Sequence, residues 1–197
     1  MIIGIDFSIN STAMAIKMGK KTHLFSFVPN YVMGKKAFKI HESLDLVVIG
    51  YTKLSTTGDP IEDQQIKLKN ADDLSNSVIG IFDLLGLDVA EEIRIEGFSY
   101  ASKGNSFIDL ITFNTFLKVK LIQRFGHIIK VIPPKTLKKA YTGNGNASKC
   151  DMLRTFMDIS DTPLSRKIRE MNIVTEGEFN IPKPIDDVVD AIGLTEM

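Results

Sequence analysis

The chain has 197 residues, 44% hydrophobic and 24% charged, with a formal net charge of zero; these values exclude wholesale disorder and allow one domain with a real core. A lone cysteine, Cys150, excludes an intrachain disulfide framework and a cysteine-cluster zinc site. With no apolar run near the ~20 residues of a membrane span and no leader before the first strand, a soluble protein of a reducing cytoplasm is expected.

Met1–Ser8 is an Ile-rich apolar run that closes on Asp6, as a buried strand delivering one carboxylate to its C-terminal end would. Ser8, Asn10, Ser11 and Thr12 supply turn chemistry. Met14–Ile16 and His23–Val28 then form a hairpin around Gly19-Lys20-Lys21. Residues 30–69 make an excursion without an assignable role. Within it, Leu46–Ile49 is a possible strand and Ser55–Pro60 a plain loop. Asn70–Leu85 carries a helical stripe of Leu74, Val78, Ile81, Phe82 and Leu85, with Asn70, Asp72 and Asp73 as caps and Gly86 as the stop. Glu91–Phe98 is a second strand that ends in an acid, Glu96.

Phe107–Phe125 is the strongest helix, apolar well past one face, so it must be buried on two sides. One side suits the sheet. The other suits either a second copy of the chain or cover from the chain's own excursion. Ile128–Ile132 is the next strand, stopped by Pro133-Pro134. A basic helix, Lys135–Tyr141, a loop, Thr142–Asn146, and an amphipathic helix, Ala147–Ile159, follow. Residues 160–183 are loop-like, with a short helix near Arg166–Met171. Pro184 suits the first turn of a last helix, Ile185–Leu194. This order predicts an α/β fold with a mixed sheet.

The net neutrality hides a segregation: residues 94–154 hold 11 Lys/Arg against 3 Asp/Glu, while 1–93 hold 9 against 12 and 155–197 hold 4 against 9. One anion-binding face can result. The last helix is acidic opposite its apolar side. Asp187 and Asp190 are three apart and Asp186 is four from Asp190, a crowding of like charge that needs compensation. If this helix crosses the sheet at the ends of the two acid-terminated strands, Asp6 and Glu96 join the set. Carboxylates gathered without histidine or cysteine suit Mg²⁺ or Mn²⁺, and two such ions can drive phosphodiester cleavage. His23, His41 and His127 show no ligand spacing. Thr142–Lys149 lacks the glycine spacing of a nucleotide loop, so no nucleotide cofactor is expected. Opening a helix, and flanked by Lys135, Lys138, Lys139 and Lys149, it instead suits the phosphates of a nucleic acid.

Gly4-Ile5-Asp6, Ile95-Glu96 with an aromatic-bearing loop after it, Asp187-x-x-Asp190-Ala191, and Pro133-x4-Lys138-x4-Gly143-x-Gly145-x-Ala147-x-Lys149 together resemble the RuvC family of Holliday-junction resolvases, within the RNase H-like superfamily. The resemblance spans nearly the whole chain through short motifs. It implies an RNase H-like sheet with helices on both faces, formed by a single domain of residues 1–197. It also implies a homodimeric, Mg²⁺-dependent endonuclease acting on branched DNA, in a bacterial cell or a phage-infected host. Carried over, Asp6, Glu96, Asp187 and Asp190 hold two Mg²⁺ ions, for which Mn²⁺ can substitute. Lys138 and Lys149 contact phosphate, Lys149 as part of the catalytic set, with Lys135, Lys139, Gly143 and Gly145 around them. Phe98 and Tyr100 stack on bases at the crossover. Phe7-Ser8 replaces the family's Pro-Gly, and the 30–69 excursion is longer than the family needs. Asp186 is an alternative to Asp187 as ligand. A less selective nuclease for flaps, forks or RNA–DNA hybrids, and a non-catalytic nucleic-acid-binding protein, are the alternative functions.

Overall fold

The computed structural model describes residues 1–33, 44, 46–98, 105–171, 181 and 183–197. Six strands form one sheet in the order β4-β3-β2-β1-β5-β6, where β1 is Ile2–Asp6, β2 Thr12–Met18, β3 Lys21–Pro29, β4 Val47–Tyr51, β5 Glu92–Glu96 and β6 Ile129–Ile132. β1, β2 and β3 are an antiparallel meander. Its second turn is the two-residue Gly19-Lys20, with Gly19 at φ +60°, the left-handed geometry that tight hairpins require. β5 lies parallel to β1, and β6 parallel to β5. Each is reached through a helix, as parallel neighbours must be.

The pleat sorts side chains to two cores. Ile3, Ile5, Met14, Ile16, Ile93 and Ile95 face α1 (Pro60–Leu85) and α2 (Asn105–Phe125), which contribute Leu74, Val78, Phe82, Phe113 and Leu117. Ala13 and Ala15 face the other way, alternating with Met14 and Ile16 as period two demands. Against that second face pack α3 (Pro134–Thr142), α4 (Lys149–Ile159), α5 (Pro163–Glu170) and α6 (Ile185–Glu196). Helices therefore cover both faces of a mixed sheet, as expected from the sequence.

Small residues on the second face let α6 come down onto the sheet. A Cβ on Gly4 would sit 2.2 Å from the Ala191 carbonyl oxygen and 2.9 Å from Leu194 Cβ. Glycine at this point of β1 is thus what allows backbone-to-helix contact. Arg94 on β5 fastens the far end, donating to the Leu194 carbonyl at 2.8 Å. That contact also places a cation at the helix C-terminus, where the dipole favours it.

Several boundaries differ from expectation: α5 is Pro163–Glu170 rather than Arg166–Met171 and α4 begins at Lys149 rather than Ala147, and two further differences have clear physical reasons. α1 begins at Pro60, capped by Asp59, whose side chain accepts from the amides of Ile61 and Glu62; it does not begin near Asn70. Its first turns are polar and solvated, so they carry no apolar stripe to read, although Pro at N1 after an Asp cap is a start signal in its own right. Asn70 is no cap. It is buried and bonds both backbone groups of Leu54, at 2.8 and 2.9 Å, which fixes the preceding loop to the helix. Pro184 precedes α6 at its N-cap rather than occupying its first turn. The 30–69 segment supplies β4 on the sheet edge and the first part of α1; residues 34–43 and 45 of it lie outside the described residues.

Candidate metal centre

β1 and β5 run parallel with Ile5 opposite Ile95, so their next residues, Asp6 and Glu96, emerge side by side at the C-terminal edge. α6 crosses above them and lowers Asp190 between. One carboxylate oxygen from each of Asp6, Glu96 and Asp190 lies within 4.8 Å of the others. Asp6 is 8% exposed. Burial holds its carboxyl well above the ordinary range, and the charges of Glu96, Asp187 and Asp190 push it further. Asp190 is raised to about 8, first by burial and then by Glu96, against the pull of Lys149. Glu96 is raised by burial too, while a hydrogen bond with Asp6 and the charges of Lys149 and Lys138 pull it down. Lys149 and Lys138 offset only part of this repulsion, and among the described residues no cation pairs directly with Asp6, Glu96 or Asp190. Their donors are all carboxylate oxygen, the set that fits a hard divalent ion such as Mg²⁺ or Mn²⁺.

The first turn of α6 is different. Asp187 accepts from the Ser11 hydroxyl at 2.5 Å and from the Lys183 ammonium. Burial and Asp186 raise it, while Lys183 and Ser11 oppose them. Asp186 has one oxygen shared by Lys149 and by Lys183, the latter at 3.1 Å. Its other oxygen is buried and, among the described residues, without a partner. Of the four acids expected to converge, the structure groups three. Asp187 stands beside them, close enough for its charge to act on Asp6. Ser11 and Lys183 are the contributors that sequence reasoning missed. Lys183 had a legible signal, since it lies four residues before Asp187.

The basic segment divides in the same way. Lys149 opens α4 and turns its ammonium to Asp186, and Lys138 on α3 is near enough to bear on Glu96. Lys135 and Lys139 instead line an open depression with Thr136, Ala140, Gly145 and Asn146. Gly143 caps α3 at φ +80°, and a Cβ on Gly145 would lie 3.1 Å from the Lys135 carbonyl oxygen, so the loop folds back tightly on α3. The amide end of α4 is taken by its own capping box, Ser148 with Asp151. That leaves lysines, rather than helix amides, as the donors for an anion here. Phe98 packs edge-on to Phe107 at 5.8 Å, with the Lys118 ammonium 5.0 Å from its ring centre. Tyr100 lies outside the described residues.

No family model matches the chain. The RuvC crossover junction endodeoxyribonucleases of Helicobacter pylori (strain G27) and Sulfurovum sp. (strain NBC37-1) are 31% and 30% identical to it over 106 and 108 residues, or 54% and 55% of this chain. The chain spans about 60% of the length of these curated relatives. Thermus thermophilus RuvC superposes on 98% of this chain and 91% of its own, with a TM-score of 0.53 at 12% identity. The same protein in complex with Holliday junction substrate gives 0.51 at 13% identity, over 98% and 89%. What fold and site define is a mixed α/β sheet of the RNase H-like kind, with carboxylates at its central strand ends. More particularly, the fold is that of RuvC, and the chain is a divergent protein similar to it.

Proposed function

We propose that the chain is a divalent-metal-dependent endonuclease that cleaves branched DNA, with four-way junctions as its substrate. One observation carries this reading: three clustered, mutually repelling carboxylates, Asp6 and Glu96 at the ends of adjacent central strands and Asp190 on the helix above them, on the fold that RuvC has. Asp6, Glu96 and Asp190 would hold the metal, and Asp187 would complete the oxygen set for a second ion. Bound there, Mg²⁺, or Mn²⁺ in its place, supplies the positive charge that activates water and stabilises the leaving oxygen of a phosphodiester. Around that centre the chain's own groups bind and orient. Lys138 and Lys149 hold the phosphate at the cleavage point, while Lys183 and Ser11 fix Asp187 so that it cannot swing away. Lys135, Lys139 and the Gly143–Gly145 loop continue the basic surface along the strand, and Phe98 and Tyr100 meet bases at the crossover.

A junction has two like strands to cut, related by approximate two-fold symmetry, which an isologous dimer matches. We assign the dimer contact to the outer side of α2, where Ile108, Ile111 and Val119 are exposed. The 197 residues then act as one nuclease domain in the cytoplasm of a bacterial cell or an infected host. In keeping with that, no helix among the described residues is long and apolar enough to cross a membrane. The test is one gel with labelled four-way junction, flap, duplex and RNA–DNA hybrid in Mg²⁺, run beside light scattering. Paired nicks on the junction by a dimer are expected. A monomer that prefers flaps or hybrids would leave a less selective nuclease.

A further inference from the structure

A second concave site opens against the loop that follows Asp6, on the α1 and α2 side of the sheet rather than the α6 side. It is a cavity of about 330 Å³, with Ile9, Lys53, Ser55, Thr56, Lys67 and Asp109 in its wall. Lys53 is half-buried. Its ammonium donates to the Asn10 side-chain oxygen, and among the described residues no carboxylate pairs with it. Burial lowers its proton affinity below the ordinary lysine range. A cation that has shed water without gaining an anion is poorly compensated, and an incoming anion would repair that.

The neighbouring donors suit the same ligand. Among the described residues, the amides and hydroxyls of Ser55 and Thr56 have no hydrogen-bond partner, and free amides beside a cation form an anion-binding concavity. Lys67 is held by Asp109 at 3.0 Å across the cavity, so the two lysines and one acid leave a net positive charge. The cavity is also coupled to the acid cluster through one short loop. Ile9 lines it and is fixed by the Tyr51 hydroxyl, which donates to the Ile9 carbonyl at 2.6 Å; Asn10 holds Lys53, and Ser11 holds Asp187.

We propose that this pocket takes a phosphate of the DNA strand that leaves the acid cluster on the side away from Lys138 and Lys149. The inference rests on the nuclease reading above, and it gives the 30–69 excursion a task, because Lys53, Ser55, Thr56 and Lys67 all belong to it. A free phosphate compound would satisfy the same donors, so the experiment must separate the two sources.

Binding of a labelled four-way junction is measured by anisotropy in Ca²⁺ over a salt series, for the wild type, Lys53→Ala, Lys53→Arg and the Ser55→Ala/Thr56→Ala double variant. Lys53→Ala is expected to weaken binding by roughly 3–10-fold and to lower the slope of log affinity against log salt by about one contact. The double variant should weaken binding with little change of slope, and Lys53→Arg should stay near the wild type. In parallel, thermal melts are run with inorganic phosphate. Junction binding by the wild type that Lys53→Ala leaves unaltered overturns the pocket while sparing the nuclease reading. A phosphate-dependent rise in melting temperature that needs Lys53, with the salt slope unmoved, reassigns the pocket to a free phosphate compound and overturns the strand assignment. A wild type that binds no DNA at all overturns both.

Discussion

One turn of α6 separates two ways of burying an acid. At its start, Asp186 and Asp187 are 6% and 3% exposed, yet Lys183, Lys149 and Ser11 face them and supply cation and hydrogen bond. Three residues on, Asp190 is met by Asp6 and Glu96, two more carboxylates. The sequence is equally acidic in both places, so composition cannot explain the difference. Partnership does. Buried charge is tolerated where an opposite charge reaches it and is costly elsewhere. The chain provides that charge for the first pair and leaves it to be provided from outside for the second. On the proposed reading, Asp190, Asp6 and Glu96 are the first place for an added cation, Asp187 is an oxygen held ready beside them by Lys183 and Ser11, and Asp186 anchors the lysines.

The sharpest way to break this contrast is to remove an oxygen from the unpaired set. Asp190→Asn keeps the shape of the side chain but removes its charge. Charge stabilisation by a metal is worth several kcal/mol, and each 1.36 kcal/mol is tenfold in rate, so cleavage should fall by roughly 10³-fold or more. Junction binding in Ca²⁺ should survive, because the basic surface is untouched. A variant that still nicks the labelled junction in Mg²⁺ at close to the wild-type rate ends the metal assignment. Asp6→Asn is expected to behave the same way.

Gly4→Ala should come next. The added methyl group would meet the Ala191 carbonyl oxygen at 2.2 Å, and backbone cannot rotate aside. Either β1 or α6 must shift, at roughly 1–3 kcal/mol of stability. A displacement near 1 Å at reacting groups can cost about 10²-fold in rate. Melting temperature and single-turnover rate together check it: both should drop, and a variant that loses neither would show that β1 and α6 accommodate the methyl group without moving the acids.

Much of this arrangement could be read beforehand. Asp6 and Glu96 are visible because an apolar strand run ends on each, and Asp187 and Asp190 because helical spacing puts them on one face. The mixed sheet followed from the alternation of strand and helix patterns, and helices on both of its faces from the family resemblance. Gly4 was legible only as part of a motif, since the residue that makes it necessary, Ala191, lies at the other end of the chain. Likewise, Ser11 and Thr12 read as turn residues, and nothing local says that Ser11 would reach Asp187. The start of α1 was misplaced because solvated turns carry no apolar period, although Asp59-Pro60 announces them. Asn70 was misread for a related reason: a polar residue near an apolar stripe suggests a cap, whereas here it ties down Leu54 from inside the helix.

A smaller effect distinguishes the two acid groups by titration. Asp190 titrates at about 8, against an ordinary 3.8, so the folded state binds this proton more tightly than the unfolded chain. Its contribution is fully present below about pH 4 and is lost as pH rises through about 8. In EDTA the melting temperature should therefore fall between about pH 5 and pH 9. A shift of this size spreads roughly 4 kcal/mol over that range, so at about 2–4 °C per kcal/mol for a chain of this size a fall on the order of 10 °C is the expected scale. Asp190→Asn should flatten that slope, and Mg²⁺ should restore the wild type more at pH 8 than at pH 5. A pH-independent metal effect would show that the cation does not replace this proton.

The last and smallest effect concerns the lysines, and it tests whether the two cations on Asp186 have separate duties. Lys183 lies beside both Asp186 and Asp187, so Lys183→Ala strips both acids of the cation they share and should lower the melting temperature by a few degrees. It should barely move the salt dependence of DNA binding. Lys149 meets Asp186 with its own side chain 59% exposed against 5% for the acid, and Lys183 reaches the same carboxylate oxygen, so a cation remains on Asp186 when Lys149 is removed. Lys149→Ala should therefore cost little stability. Instead it should weaken junction binding and reduce the salt slope by about one phosphate contact, and the Lys138→Ala/Lys149→Ala double variant by about two. Measuring melting temperature and salt slope on the same samples separates the roles. If the double variant keeps the wild-type affinity and slope, then Lys149 is only another brace for the acids, and the basic segment from Lys135 to Lys149 does not face DNA.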